Sequence, residues 1–452
     1  MRIHFIAIGG AIMHHLAMAL QKQGHIVSGS DDKIADPAKT NLANAGILPD
    51  TIGFFEEKIT SDIDAVILGM HARIDNVELL KAQKLGIKIY SFPHFIYEFA
   101  KNKKRVVIAG SHGKTSITSM VMHVLRKRGF DFDYMVGAAV QGFDSAVKLS
   151  TDAPIIILEG DEYLASPLHL ESKFMFYAPH IALISGIAWD HINVFPVYAG
   201  YVNQFAKLMD IVSETIVYFK HDKELPTLVV NYHGEAEVKG YENPNFEVEN
   251  EKTYIKDGEQ KYALSVFGEH NLQNIEGARL VCESLGVNKK DFYTAISDFS
   301  GAANRLQKLG ENDKTVIYKD FAHSPSKLKA TVKAMREQFA DRQLVAVMEL
   351  HTFSSLNKDF LSEYNNSMDA ADEAIVFIDK EAMLLKRMPD LDESLIRESF
   401  GRNDLQIFTE KEQLIKYLLS TNWKNKNLLL MTSGQFGGMK VEEVRDEILK
   451  NK

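Results

Sequence analysis

One cysteine stands in the whole chain, Cys282, so no intramolecular disulfide can form. Its neighbours follow an apolar helical pattern, which gives it the reading of a buried thiol with no catalytic role. No run of about 18 apolar residues occurs, so a membrane-spanning helix is not expected. The stretch Met1 to Gly10 lacks the basic region, long apolar region and small-residue cleavage site of a signal peptide, and the expected location is the cytoplasm. Positive charge is also short: 52 Lys and Arg face 61 Asp and Glu, a net charge of -9. The global basic footprint of a nucleic-acid binder is therefore missing, although local anion sites are compatible with that balance.

What is present is ordinary for a folded protein, with 45% hydrophobic and 25% charged residues. A chain of 452 residues exceeds what one hydrophobic core usually serves, and three domains are expected, over 1–100, 101–300 and 301–452. Phe5 to Ile8 reads as a buried strand, Gly9-Gly10 as a turn, and Met13 to Gln23 as a helix ended by Gly24. Strands at Ile26 to Ser30 and Ala65 to Leu68 continue an alternation that favours a parallel sheet. The basic stretch Lys101 to Arg105 reads as a solvated linker into a second domain. There a strand, Val106 to Ala109, leads through a loop to a helix marked by Ile117, Met120, Val121, Val124 and Leu125. Ile155 to Leu158 and Ile181 to Ile184 have the unalternating character of strands buried on both faces. A polar, strand-rich stretch runs from about Glu214 to Phe267, before a helix near Asn271. The last third repeats the α/β alternation, with strands at Val316, Leu344, Ala374 and Leu428.

The loop Gly110-Ser111-His112-Gly113-Lys114-Thr115-Ser116 joins a strand to a helix, where backbone amides and the helix N-terminus favour phosphate. Lys114 would neutralise phosphate charge and Thr115 would hold Mg2+. The full Walker pattern wants another glycine at Ile108, so this is a variant. Glu159-Gly160-Asp161-Glu162 follows a buried strand at the ligand-binding edge of an open sheet; Glu159 or Glu162 is a metal-ligand candidate there, against a solvated acidic loop. Trp189-Asp190-His191 takes the same position after the next strand, and His191 suits a second metal or a phosphoryl oxygen. His14, His15, His25, His169 and His180 read as packing or surface residues. Asn271 and Asn274 stand three apart at a helix start, able to bond a base or ribose, or to serve a capping turn.

These constellations, in this order and at these spacings, resemble the Mur ligase family, which joins amino acids or peptides to UDP-N-acetylmuramate. The resemblance spans essentially the whole chain. It rests on Gly110 to Thr115, Glu159 to Glu162, Asp190-His191, His270 to Asn274, Arg305, and Asp320-Phe321-Ala322-His323-Ser324-Pro325. It implies an α/β fold with an N-terminal Rossmann-like domain for the UDP-sugar, a central P-loop-type ATPase domain with a mostly parallel sheet, and a C-terminal Rossmann-like domain closing on ATP and acceptor. ATP is the implied co-substrate, with one or two Mg2+ ions held by Thr115, Glu159, Glu162 and His191. The implied ATP contacts are Gly110 to Ser116, Asn271, Asn274, Arg305, Asp320 and His323, with Lys114, His191 and Arg305 catalytic. Those for the UDP-sugar are Gly9, Gly10, Ala11, Ile12, Met13, Ser30, Asp31, His71 and Arg73. The expected partners are UDP-N-acetylmuramate, ATP and an amino-acid or peptide acceptor, for a monomer or weak homodimer.

Two branches of that family begin with a similar glycine-rich fingerprint, one adding L-alanine and one adding murein tripeptide in peptidoglycan recycling. Ile12, Ser172-Lys173-Phe174, Tyr177 with Pro179, Asp320 to His323 and Gly434 to Gly438 look like the tripeptide branch. The two arginines that, as the resemblance implies, bind the alanine carboxylate in the L-alanine branch are replaced by Thr352 and Ser355. The stretch also departs from the arginine-containing acceptor motif of the tripeptide branch, and Gly186 replaces an asparagine of both. The resemblance implies that ATP converts the muramic carboxylate to an acyl phosphate, which the acceptor amine attacks through a tetrahedral intermediate. The competing readings are the L-alanine ligase, a folylpolyglutamate-type ligase, which generally lacks the N-terminal glycine-rich domain, and a nucleotide-binding protein without turnover.

Overall fold

Apolar residues that do not alternate with polar ones make strands shielded on both faces, and the chain opens with one. The computed structural model describes residues 1–70, 72–189, 194–302, 305–386 and 388–450. β1 (Arg2–Ile6), β2 (Ile26–Ser30), β3 (Ala65–Leu68) and β4 (Lys88–Ser91) pair in parallel in the order β2-β1-β3-β4. Between and after them lie α1 (Ala11–Lys22), α2 (Ala38–Asn44), α3 (Val77–Leu85) and α4 (Phe92–Phe99). β1 is shorter than its apolar run, because Ala7 adopts φ +67° and turns the chain. The amides of Ala7 and Ile8 then both donate to the Ser30 carbonyl, at 2.9 and 3.1 Å, which ties the turn to the end of β2.

The second sheet is larger. Its elements are β5 (Lys104–Ala109), α5 (Lys114–Lys127), β6 (Phe132–Met135), β7 (Val147–Lys148) and β8 (Ile155–Glu159). A hairpin of β9 (Leu164–Ser166) and β10 (His169–Ser172) precedes β11 (Ile181–Ile184), α6 (Tyr198–Asp210), β12 (Thr215–Phe219), α7 (Leu225–Val230) and β13 (Glu237–Tyr241). The order is β13-β12-β11-β5-β8-β6-β7, parallel except for β7. β5 thus lies between β11 and β8, and the loops leaving these three strands emerge side by side at one edge. α5 is buried from Thr115 to Leu125 without a polar face, more enclosed than its apolar spacing implies.

In the basic run Lys101 to Arg105, Lys101 and Lys104 are solvated as expected, but Lys103 and Arg105 are not. The Lys103 ammonium pairs with Asp133 at 2.8 Å and donates to the carbonyls of Ser150 and Ala153. The Arg105 guanidinium donates to the carbonyls of Ala100, Lys101, Lys103, Tyr177 and Ala178. With their donors matched in this way, both charges are tolerated in buried positions.

A three-stranded antiparallel sheet follows, β14 (Phe246–Glu249), β15 (Lys252–Asp257) and β16 (Gln260–Ala263), and then α8 (Glu269–Ser284) and α9 (Lys289–Ile296). Cys282 is buried on α8, where burial pushes its thiol pKa up, in keeping with an inert role. The last sheet contains β17 (Gln307–Asn312), β18 (Thr315–Asp320), β19 (Gln343–Leu350), β20 (Glu373–Ile378), β21 (Gln406–Phe408) and β22 (Lys426–Met431). Its order is β17-β18-β22-β19-β20-β21, with only β17 antiparallel, and α10 (Pro325–Gln338) links β18 to β19.

Compactness groups the chain differently from the expected division near residue 300. One unit comprises Met1–Asn243 with Gln273–Ile296, the other Pro244–Leu272 with Ser297–Lys452. The small antiparallel sheet belongs with the last third because its contacts lie there. The Phe267 ring meets Tyr318 and Phe339 edge-on at 5.3 and 5.8 Å, Thr253 donates to Gln338 at 2.7 Å, and Arg342 pairs with Glu251. Among the described residues no helix is long and apolar enough to cross a membrane.

Candidate active site

The first unit carries two strand–loop–helix turns. At the first, the Asp31 carboxylate at the end of β2 accepts the Gly9 amide at 2.7 Å and the Lys33 amide at 3.3 Å. A Cβ at Gly9 would stand 3.0 Å from that carboxylate, so the glycine lets Asp31 close on the turn. Burial pushes the Asp31 carboxyl up, aided by Asp32 and opposed by the two amides. Beside it, Ser30 accepts from the Lys58 ammonium at 3.1 Å. Gly10 precedes α1, whose first residues are exposed Ala11, half-buried Ile12 and buried Met13. Arg73 lies on the surface in an ion pair with Asp75 at 2.9 Å, and His71 lies outside the described residues. The other histidines of this region pack as expected: His14 bonds the Gly10 carbonyl and His15 the Ser145 hydroxyl.

At the second turn the backbone is left-handed at Gly110 (φ +121°) and Gly113 (φ +79°). Side chains there would collide with Ser185 Oγ at 2.2 Å and Asn274 Oδ1 at 2.5 Å. Asn274 is thereby seated on the loop, as α8 brings it back to this unit. Ser111 is not a simple phosphate contact. Its amide donates to the Gly186 carbonyl at 2.9 Å; its hydroxyl lies 2.7 Å from the Tyr201 hydroxyl and accepts the Ala188 amide at 2.9 Å. The Ser185 hydroxyl bonds the His112 carbonyl. The first bond of α5 runs from Ile117 to the Gly113 carbonyl, so the amides of Lys114, Thr115 and Ser116 precede it, the position a helix leaves for an anion.

Charge converges on the same point. The Lys114 ammonium donates to the Gly110 carbonyl at 2.9 Å and to Glu162 Oε2 at 2.8 Å. Burial opposes its charge, but Glu162, Asp161 and Glu159 outweigh that and hold its pKa above the usual lysine value. Thr115 Oγ1 donates to Glu159 Oε1 at 2.8 Å, and the Gly137 amide donates to Glu159 Oε2 at 2.7 Å. Burial, reinforced by Asp161, pushes the Glu159 carboxyl up against those bonds and Lys114. Asp161 pairs with buried Lys173 at 3.1 Å. Burial works against the Asp161 charge, yet Lys173 and Lys114 hold its pKa below the usual range. Lys173 itself is pushed down by burial and lies 3.8 Å from the Tyr163 ring centroid. Glu162 Oε1 accepts from Tyr201 at 3.1 Å.

Gly110 to Ser116, Glu159, Glu162 and Asn274 therefore come together, whereas Asp190 and His191 lie outside the described residues. Sequence reasoning missed Tyr201 and gave Asp161 and Lys173 no part in the site. Tyr201 sits at helical spacing among apolar residues of α6 and looks like core; Lys173 had been noted only as part of Ser172-Lys173-Phe174.

The second unit holds the remaining candidates. Asn271 donates from its side-chain amide to the Phe267 carbonyl, four residues back, at 2.9 Å. Asp320 is buried and accepts from Thr331 at 2.7 Å, His323 Nδ1 bonds the Phe321 carbonyl at 2.9 Å, and the Arg305 guanidinium lies 4.6 Å from the Phe321 ring centroid. After β19, Thr352 Oγ1 donates to Ser355 Oγ at 3.0 Å, and the Lys386 ammonium bonds the His351 carbonyl.

Residues 2–104 match the Mur ligase family catalytic domain, 108–282 the Mur ligase middle domain, and 304–434 the Mur ligase glutamate ligase domain. The chain is 31% identical over 394 residues to a UDP-N-acetylmuramate–L-alanine ligase of Sulfurihydrogenibium sp. (strain YO3AOP1), covering 83% of this chain and 82% of that protein. It is 27% identical over 456 residues to the UDP-N-acetylmuramate–L-alanyl-gamma-D-glutamyl-meso-2,6-diaminoheptandioate ligase of Escherichia coli (strain K12), covering 97% and 96%. Its fold matches the crystal structure of a UDP-N-acetylmuramate–alanine ligase from Thermotoga maritima, with TM-score 0.74, 20% identity and coverage of 100% and 99%. With three successive stretches matching domains of one family and a glycine loop bearing paired charges, the chain belongs to the Mur ligase family, the ATP-dependent ligases that form carbon–nitrogen bonds in peptidoglycan synthesis.

Proposed function

We propose that this ligase joins a murein tripeptide, L-Ala-γ-D-Glu-diaminopimelate, to the muramic carboxylate of UDP-N-acetylmuramate. ATP would activate that carboxylate as an acyl phosphate, and the tripeptide amine would displace inorganic phosphate. Such a reaction needs no enzyme nucleophile; it needs the triphosphate positioned and its growing charge neutralised. The observation that carries the reading is Lys114, poised between the Gly110 carbonyl and Glu162 at the start of α5. Lys114 would hold the β- and γ-phosphates, with the first amides of α5 around them.

Thr115 Oγ1 and Glu159 Oε1, 2.8 Å apart, are hard oxygens of the kind Mg2+ takes together with phosphate and water, so these residues fit that ion. Mg2+ bound there would neutralise phosphate charge. Glu162, engaged by Lys114 and Tyr201, suits the role of counterion to the lysine better than that of metal ligand. We assign the UDP-sugar to the 1–100 domain around Gly9, Ser30 and Asp31, and the acceptor to the C-terminal domain, with Arg305 and His323 as its candidate nucleotide contacts.

The acceptor choice rests on Thr352 and Ser355. Their hydroxyls bond each other, and neither supplies a cation. A small amino acid depends on a charge-assisted grip of its carboxylate, worth roughly 1.5 to 3 kcal/mol per contact, whereas a tripeptide offers more groups. The second reading is L-alanine ligation, favoured by the name of the Sulfurihydrogenibium relative. Purified protein with UDP-N-acetylmuramate, ATP and Mg2+ should be offered each acceptor, with phosphate release and product mass recorded. We expect kcat/KM for the tripeptide to exceed that for L-alanine by at least about a hundredfold. Efficient L-alanine ligation without tripeptide activity moves the protein to the second reading.

A further inference from the structure

We propose that Tyr201 is a positioning residue for Lys114, acting through Glu162 and tying the lysine to the loop after β11. Its side chain is fully buried on α6, so its hydroxyl has no bulk water and its bonds are with protein. The direction of those bonds follows from what each group can do. An amide only donates, so the Ala188 N–H gives to Ser111 Oγ at 2.9 Å. The Tyr201 hydroxyl spends its single proton on Glu162 Oε1 at 3.1 Å. Ser111 must then donate to Tyr201 across their 2.7 Å contact. The other Glu162 oxygen accepts from Lys114 at 2.8 Å.

The result is one oriented chain, from the Ala188 amide through Ser111, Tyr201 and Glu162 to the lysine ammonium. Each donor in such a chain polarises the next, and its middle, from Ser111 through Tyr201 to Glu162, is buried, where bonds are strong and errors costly. The Ser172 hydroxyl, at the end of β10, bonds the Glu162 carbonyl and so helps to fix its backbone. The Tyr201 ring is packed edge-on against Phe195 and Phe205 at 5.4 Å each, which fixes the hydroxyl in place. A phosphate-loop lysine reaches its target by a flexible stem, and a misplacement of about 1 Å can cost on the order of a hundredfold in rate. A carboxylate clamped from behind removes that freedom. The chain also passes through Ser111 and Ala188, so a change in the loop after β11 alters the hydrogen bonding of Lys114 without touching it.

The inference rests on ATP use and not on the acceptor. Tyr201→Phe keeps the ring and removes the hydroxyl. Its kcat for ADP formation, measured with UDP-N-acetylmuramate and whichever acceptor the wild type uses, should fall at least about tenfold. KM for the UDP-sugar should stay within about twofold, since that subsite lies elsewhere. Ser111→Ala breaks the chain one link earlier and should lower kcat similarly. The double variant should be no slower than about twofold below the worse single one, because both cut the same chain. Met209→Ala, on the same helix but outside the chain, should lower Tm and leave kcat per folded enzyme unchanged. Should the wild type use neither acceptor, Mg-ATP affinity by calorimetry replaces turnover as readout, and both single variants should bind at least about fivefold more weakly. Wild-type kcat in folded Tyr201→Phe, or multiplicative losses in the double variant, overturns the proposal. If Tyr201→Phe does not fold, Ser111→Ala alone decides, and unchanged kcat in it counts against the chain.

Discussion

The two glycine turns of the first unit share a backbone idiom and differ in what surrounds it. After β1, the Asp31 carboxylate is spent on the protein's own amides at Gly9 and Lys33, and the Lys58 ammonium on Ser30. After β5, Lys114 pairs with Glu162 and Thr115 bonds Glu159, and Asp161 forms a second ion pair with Lys173. The first turn suits recognition by shape and backbone; the second suits a reaction in which charge moves. Burying several charges is costly unless each is paired, and the pairing seen after β5 is what such a cost permits. Under the proposed function, the same strand, turn and helix serve binding in one place and reaction in the other, according to the strands placed on either side.

The largest effect expected from breaking this contrast comes from Lys114→Ala. Turnover should drop by at least about a hundredfold, because the charge contact to the transferring phosphoryl group is gone. The variant also strips Glu162 of its counterion, so Tm should fall, and Lys114→Ala with Glu162→Gln should regain Tm without regaining turnover. Turnover near wild type in folded Lys114→Ala would end the assignment of this loop.

Paired glycine variants sharpen the comparison. Gly113→Ala combines a left-handed φ with a Cβ 2.5 Å from Asn274, and should weaken ATP binding by about tenfold or more while sparing the UDP-sugar. Gly9→Ala puts a Cβ 3.0 Å from Asp31 and should do the reverse, with a loss of about three- to tenfold in UDP-sugar affinity. Calorimetric titration of each variant with each ligand separates the two turns; equal losses for both ligands would mean that they are not separate sites.

The smallest effect concerns pH. His15, on α1, is pushed down to about 4 by burial and by the neighbouring His14. Its folded form therefore binds fewer protons than the unfolded chain, and its stabilising contribution is complete above the unfolded value of 6.5 and lost as pH falls from there toward 4. Allowing for its partial exposure, stability should drop by about 1 kcal/mol more between pH 7 and 5 in the wild type than in His15→Gln. Urea unfolding at the two pH values measures the difference, and equal slopes for both proteins would remove His15 from the account.

The sequence by itself determined the local pieces: the strand into Gly110 and the helix out of Lys114, the acidic segment after Ile155 to Leu158, and the buried thiol of Cys282. Each is legible because the responsible residues lie within a few positions of one another, so apolar runs, glycines and helix starts carry the information directly. Tertiary structure alone decided the partners. Placing β5 between β8 and β11 sets Lys114 on Glu162, 48 positions away, and Ser111 on Tyr201, 90 away. It also turned Lys103 and Arg105 of the basic run inward, because Asp133 and carbonyls from Ala100 to Ala178 were there to meet them. A charged or hydroxyl side chain has no preferred face until the fold supplies its counterpart. Sheet order supplies that counterpart, and periodicity along the chain does not encode it.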